Sequence, residues 1–243
     1  MAPTTVEELR GLLVKHGLPV ELAERAVAGL ALVGGGAGRS KLGGHPEVPG
    51  SWPIHNGRGL THLASIVLEE LPTGQWRASL PEDGTVVFFA DFSFDNEGWG
   101  PVDGTHPAIE IVHVRGGAAV AAATPPDEQR DAGEIPVVLN ERLVQFVPVL
   151  TPPAEELYEA LDMLDSPDAF LRELDMPTHL LLGEPGYLQG DPREPGELSL
   201  LQLDWDEELG FEYGDAGTIS FWGSPEDIRS ARWQHIKATP DSC

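Results

Sequence analysis

Asp83-Gly84-Thr85-Val86-Val87-Phe88-Phe89 returns later in the chain as Ala216-Gly217-Thr218-Ile219-Ser220-Phe221-Trp222. Each copy is a glycine turn feeding a run of β-branched and aromatic side chains, the composition of a strand on a pleated, half-buried surface. Each is also preceded by the same landmarks. Gly44-His45-Pro46 and Leu63-Ala64-Ser65-Ile66 lead to the first copy, and Gly183-Glu184-Pro185 and Leu200-Leu201-Gln202-Leu203 lead to the second. Three landmarks in one order mark an internal repeat, which decides the architecture before any single element does.

The expected fold is therefore α+β: two related β-rich halves with mostly antiparallel sheets, arising by internal duplication. Between the halves, Ala108 to Val114 and Arg142 to Val147 alternate as antiparallel strands with one wet face. Leu157, Ala160, Leu161 and Leu164 share one face of a helix over Pro152 to Asp165, and Ser166-Pro167 opens another that runs to about Leu174. The chain thus divides into an N-terminal helical segment at 1–38 and a repeat domain at 39–243. Within that domain the halves span about 39–150 and 176–235, linked by helices at about 152–175. Regular strand-helix alternation, the mark of a parallel sheet, is absent.

The N-terminal segment reads as two short amphipathic helices. Thr4-Thr5-Val6-Glu7 fits a capping box on Thr4, and Gly17 is a natural stop. From Pro19 a second helix is expected, with Leu22, Ala23, Ala26, Val27 and Leu30 on one face, ending at Gly34-Gly35-Gly36. That glycine run leads to Arg39-Ser40-Lys41 and follows a helix, so it lacks both the order and the context of a phosphate loop and reads as a hinge.

Forty Asp and Glu against fifteen Lys and Arg leave a formal charge of -25 over 243 residues. Such a surface repels nucleic acid and anionic membrane and attracts basic partners. No apolar run approaches the roughly 20 residues of a membrane-spanning helix. Met1-Ala2-Pro3-Thr4 does not resemble a signal peptide, and the one cysteine, Cys243, has no partner for an internal disulfide. The expectation is a cytoplasmic protein that binds neither nucleic acid nor membrane.

From Arg39 onward the chain resembles the YwqG-like family of bacterial proteins, grouped under a domain of unknown function. The resemblance rests on Ser40-Lys41-Leu42-Gly43-Gly44-His45-Pro46, Trp52-Pro53, Leu80-Pro81-Glu82-Asp83-Gly84 and Phe88-Phe89. His179 to Pro185, Gln189, Leu200 to Asp204 and Gly214 to Gly217 carry it through the second half, so that it spans about residues 39 to 235. It implies a fold and no settled activity. One departure stands out: where the second half has Gln202, the first has Ser65, so a ligand contact made by that glutamine would be lost from the first half.

No Gly-x-Ser-x-Gly elbow, His-Glu-x-x-His or Cys-x-x-Cys occurs, and the eight histidines are scattered. His45, in the Gly-Gly-x-Pro turn near Trp52, is the one that could frame a small pocket. The acidic loop Asp204-Trp205-Asp206-Glu207-Glu208-Leu209-Gly210, reaching Asp215, places oxygens at relative positions 1, 3, 5 and 12, as a calcium loop does. Its glycine stands at position 7 instead of 6 and its last ligand is Asp instead of Glu, so calcium or another divalent cation on Asp204, Asp206, Glu208 and Asp215 competes with a solvated hairpin.

Three functional readings are open to such a chain. The first is an acidic protein-binding module, comparable to an immunity protein or an adaptor, that engages a basic partner with Trp205 as aromatic anchor. The second is a small-ligand protein using a cleft between the halves, lined by His45, Trp52, Gln189, Gln202, Asp204 and Trp205. The third is a metal-assisted enzyme working through Asp204, Asp206 and Asp215.

Overall fold

The computed structural model describes residues 2–92, 108–116, 118–126, 134–187 and 189–242. His106, Cys243 and the latter part of the Thr124-to-Gly133 loop lie outside them.

Helix α1 (Val6–His16) starts one residue later than the sequence spacing suggested. Thr5, in extended conformation, is the N-cap; its Oγ1 accepts from the Glu8 N–H, and the Glu8 carboxylate accepts from the Thr5 N–H at 3.1 Å. Both Thr-Thr and Glu-Glu are doubled, so either register satisfies the pattern. The Thr5–Glu8 register is the one realised, with Leu9 and Leu13, one turn apart, fully buried. Gly17 closes the helix in the left-handed region at φ 72°. Replacing Thr5 with alanine is expected to cost about 1 kcal/mol, read as a lowered urea midpoint at unchanged m-value.

The second expected helix is largely a strand. Only α2 (Glu21–Glu24) is helical, and Val27 to Gly34 forms β1 (Val27–Gly34). An apolar run this free of polar residues fits either period, and Gly29 is the discriminating residue. A Cβ there would press on the Leu182 carbonyl and on Gly183 of the neighbouring strand, the close backbone approach that glycine in a strand marks.

The remaining strands, in chain order, are β2 (Lys41–Leu42), β3 (Glu47–Val48), β4 (Ile54–His55), β5 (Arg58–Gly59), β6 (Thr61–Val67), β7 (Thr85–Ala90), β8 (Ile109–Val114), β9 (Ala121–Ala122) and β10 (Arg142–Thr151). Helices α3 (Ala154–Leu161) and α4 (Pro167–Leu174) then lead to β11 (His179–Leu182), β12 (Leu198–Leu203), β13 (Thr218–Gly223), α5 (Pro225–Arg229) and β14 (Lys237–Asp241). Ten strands form one sheet, paired antiparallel throughout, in the order β14-β13-β12-β11-β1-β10-β2-β6-β7-β8. β3 and β9 pair separately, as do β4 and β5.

The sheet curls on itself. Phe88 on β7 and Phe221 on β13 have six strands between them in the hydrogen-bonded order, yet their rings meet edge-on with centroids 5.2 Å apart. The main core fills the enclosed space with Leu30, Leu63, Leu201, Ile219 and both phenylalanines. Outside the sheet, α1 and α2 pack against α3 and α4 through Leu9, Leu13, Leu157, Phe170 and Leu174. The outer face of β6 and β7 is covered by Val48, Trp52 and Leu60, and β6 and β13 are buried along their whole length.

Candidate functional site

The structure distributes the expected site residues over three places. Trp52 is a core residue: it packs edge-on to Phe89, and its Nε1–H donates to the Leu60 carbonyl at 2.8 Å, with exposed His45 against its far side. Gln202 and Gln189 lie over the second half. The buried Gln202 carboxamide accepts from the Gly186 N–H at 3.3 Å and donates to the Gly186 carbonyl at 2.5 Å, fastening the segment after β11 across the sheet. Gln189 is tied to the C-terminal strand through Asp241 and Ser242. Trp205, 38% exposed, stands on the acidic hairpin. The inner faces of β7 and β13 are packed together by Phe88 and Phe221, and the expected site residues sit on outer faces of the sheet, not around one cleft.

The acidic hairpin is built around Asp206. Its backbone exchanges hydrogen bonds with Phe211 at 2.8 and 3.0 Å, and its Oδ1 accepts from the Leu209 N–H at 2.9 Å to close the turn. Oδ2 meets the Arg142 guanidinium at the start of β10 and His179 Nε2 at the start of β11. The Asp204 N–H donates to His179 Nδ1 at 3.2 Å, so Nδ1 is the bare nitrogen and the Nε2–H points at the carboxylate. Burial alone would raise the Asp206 carboxyl, but the hydrogen bonds from His179, Arg142 and Leu209 outweigh it and hold the group well below the usual carboxylate range. Asp204 moves the other way, pushed up by its own burial against the Trp205 N–H bond. Glu208 and Asp215 point to solvent, and among the described residues no three His, Cys, Asp or Glu side chains converge. Arg142 carried no sequence signal, since nothing in a strand of alternating residues says which distant carboxylate its first member will meet.

Two grooves remain. The first, of about 360 Å³, crosses the outer face of β1 and β10 beside Ala2. Val33, Val147 and Val149 form its apolar floor, Met176 and Asp175 flank it from the end of α4, and Arg142, Asp206 and His179 close its far end. Val33 and Met176 are 42% and 37% exposed, large apolar side chains left open to water on a highly charged chain.

The second groove, of about 390 Å³, lies on the outer face of β2, β6 and β7 over Lys41, Ser65 and Thr85. Its floor depends on a β-bulge. The register between β6 and β7 shifts between His62 and Ala64, which turns His62 and Ser65, three residues apart, to the same side of the strand. His62 is fully buried; its Nδ1–H donates to the Gly44 carbonyl at 2.9 Å, leaving Nε2 to accept the Ser65 hydroxyl at 3.0 Å. Burial pushes His62 down to about 4 against the pull of the Gly44 carbonyl, so the ring is neutral at neutral pH. Ser65 therefore presents oxygen lone pairs, and no proton, to the groove.

Fold and grooves together define a mixed protein dominated by one large antiparallel sheet, with few helices and open grooves on its outer faces. The chain belongs to the family described as Domain of unknown function (DUF1963), which matches residues 40–241. No curated protein matches it. No helix among the described residues is long and apolar enough to cross a membrane.

Proposed function

We propose that the chain is an acidic protein-binding module, built by internal duplication, that engages a basic segment of a partner protein through the groove across β1 and β10. The duplication is supported by the ladders. When Phe88 is set on Phe221, His62 faces Phe89 as Ser199 faces Trp222, Ala64 faces Phe88 as Leu201 faces Phe221, and Ser65 faces Val87 as Gln202 faces Ser220. Both ladders shift register at the same step. One strand inward, Lys41 faces Ser65 as Leu180 faces Gln202; one further, Arg142 faces Leu42 as Leu30 faces Leu181. With β1 counted into the first half and β10 into the second, the first strand of each half pairs with the other half, an exchange that makes the central strands common to both. The turns differ by a residue: Gly84 has φ 96°, whereas Ala216, just before Gly217, has φ 54°.

The binding reading rests on one observation, an apolar groove bordered by carboxylates on a chain of net charge -25. Arg142 pairs with Asp206 and stands 3.8 Å from Glu208, and the rim's field is set by these carboxylates together with the exposed Glu207 beside Trp205. A partner lysine or arginine suits this geometry, its methylene stem lying on Val33 and Met176 and its head among the carboxylates. The same field disfavours nucleic acid and anionic membrane.

The test is association kinetics with a partner recovered from the native cell. The on-rate is expected to fall steeply as salt is raised, and Trp205→Ala and Val33→Lys are each expected to weaken binding about tenfold or more. An on-rate indifferent to salt, with affinity indifferent to both substitutions, would reject this surface.

A further inference from the structure

The groove over Ser65 acquires a chemical identity from the duplication, and its assignment rests on that reading of the two halves. In the second half the Gln202 carboxamide bridges its strand to the covering segment at Gly186, using both the N–H and the C=O of that residue. The equivalent covering segment of the first half is Gly44-His45-Pro46-Glu47, whose Gly44 repeats the left-handed backbone of Gly183, at φ 69° and 83°. Glu47 therefore stands where Gly186 stands, and Ser65 stands where Gln202 stands. A serine side chain ends at its first oxygen and does not cross the gap. The open space between them is the groove, and Ser65 and Glu47 both line it.

The polar groups left in that space are complementary to a carboxamide. The Ala123 N–H donates to the Pro46 carbonyl at 3.0 Å, and the next pair along the ladder is Glu47 with Ala122. Antiparallel ladders alternate, so the N–H and C=O of Glu47 turn away from β9, as those of Gly186 turn toward Gln202. Ser65, its proton committed to His62, adds an acceptor. Lys41 adds a donor: its ammonium spends two of its three protons on the His45 carbonyl at 2.8 Å and Glu141 at 2.7 Å. Toward the mouth, Arg39 and Arg115 join Lys41; Arg39 is paired with Glu70 and Lys41 with Glu141, and Glu47 and Glu69 also line the groove, so Arg115 is the cation placed to meet an anion. Arg115 is exposed and forms no ion pair with any described residue. Val67, Val114 and Leu143 supply apolar walls between the two ends.

We infer that this groove binds a small carboxylic acid bearing a primary carboxamide. The amide occupies the seat that Gln202 fills in the other half, and the carboxylate reaches Arg115 at the mouth.

Succinamic acid is the probe and succinate, of equal size without the amide, its control, titrated calorimetrically into the full chain. Saturable binding of succinamate, with succinate at least about tenfold weaker, is expected, because a dicarboxylate leaves the acceptors of Ser65 and Glu47 unpaired. Ser65→Gln should abolish binding by supplying the missing carboxamide internally, with the melting temperature retained or raised. Arg115→Ala, on an exposed side chain that folding does not need, should weaken succinamate about tenfold. Equal binding of both acids, no binding at millimolar succinamate, or unchanged binding in Ser65→Gln would overturn the inference. A crystal structure of Ser65→Gln separates the ligand from the duplication. An introduced carboxamide seated on Glu47 in a protein that never bound succinamate would remove the ligand and keep the duplication, whereas one turned elsewhere would remove the equivalence itself.

Discussion

Replacing Asp206 with alanine is expected to destabilise the protein by about 3 kcal/mol or more, one of the two largest effects we foresee. The carboxylate side chain is 10% exposed and faces Arg142, 26% exposed, and His179, 2% exposed. Removing it leaves a guanidinium and an imidazole N–H without their acceptor in a place water reaches poorly, and it also frees the Leu209 N–H that closes the hairpin. The loss should be strongly non-additive. Arg142→Ala alone strands the carboxylate, whereas the double substitution removes both charges, so its cost should fall well short of the sum of the single ones. Urea denaturation of the four proteins reads this directly. Additive losses would mean that Asp206 and Arg142 are neighbours without being coupled. The pair should also leave a mark at low pH. Asp206 is held below its ordinary value of 3.8, so its contribution is complete above that value and disappears as the solution is acidified further.

His62 governs a separate and higher pH window. Its folded-state value lies near 4 against an ordinary 6.5. Above pH 6.5 the ring is neutral in both states and the folded form keeps its full stability. As pH falls from there toward 4 the unfolded chain takes up a proton that the folded chain refuses, and the protein loses roughly 3 kcal/mol from this one group. The cause is enclosure: the ring lies against Phe89 at 5.3 Å, both nitrogens are committed to Gly44 and Ser65, and neighbouring Lys41 adds repulsion to any positive charge. Urea unfolding of the parent and His62→Gln between pH 4 and 7 should give curves that converge as acid is added, because the variant has no ring to protonate. Curves that stay parallel through that window would show that His62 is reached by water or already charged when folded.

Much of the framework was legible from local chemistry. The glycine-turn strands at Thr85 and Thr218, the strand at Ile109, the helix opened by Pro167 and the stop at Gly17 each depend on side chains within a few residues of one another. Where two periods or two caps fitted equally well, only packing decided. Val27 to Gly34 became a central strand because β10 and β11 take both of its edges, and the capping box settled on Thr5. The positions of the site residues were illegible for the same reason: Arg142 meets Asp206 across 64 residues, and His62 meets Ser65 only because a bulge reverses one step of the strand.

The Ser65 departure shows the boundary between the two kinds of knowledge. By itself the sequence determined that Ser65 stands in Leu63-Ala64-Ser65-Ile66 where the similar stretch Leu200-Leu201-Gln202-Leu203 has a glutamine, since that comparison needs only the order of residues. The tertiary structure alone decided what the replacement leaves behind. A side chain too short to reach the covering segment makes a groove only if the segment is held at its distance by other contacts, and Trp52, Phe89 and the β3–β9 pairing supply those from parts of the chain far apart in sequence.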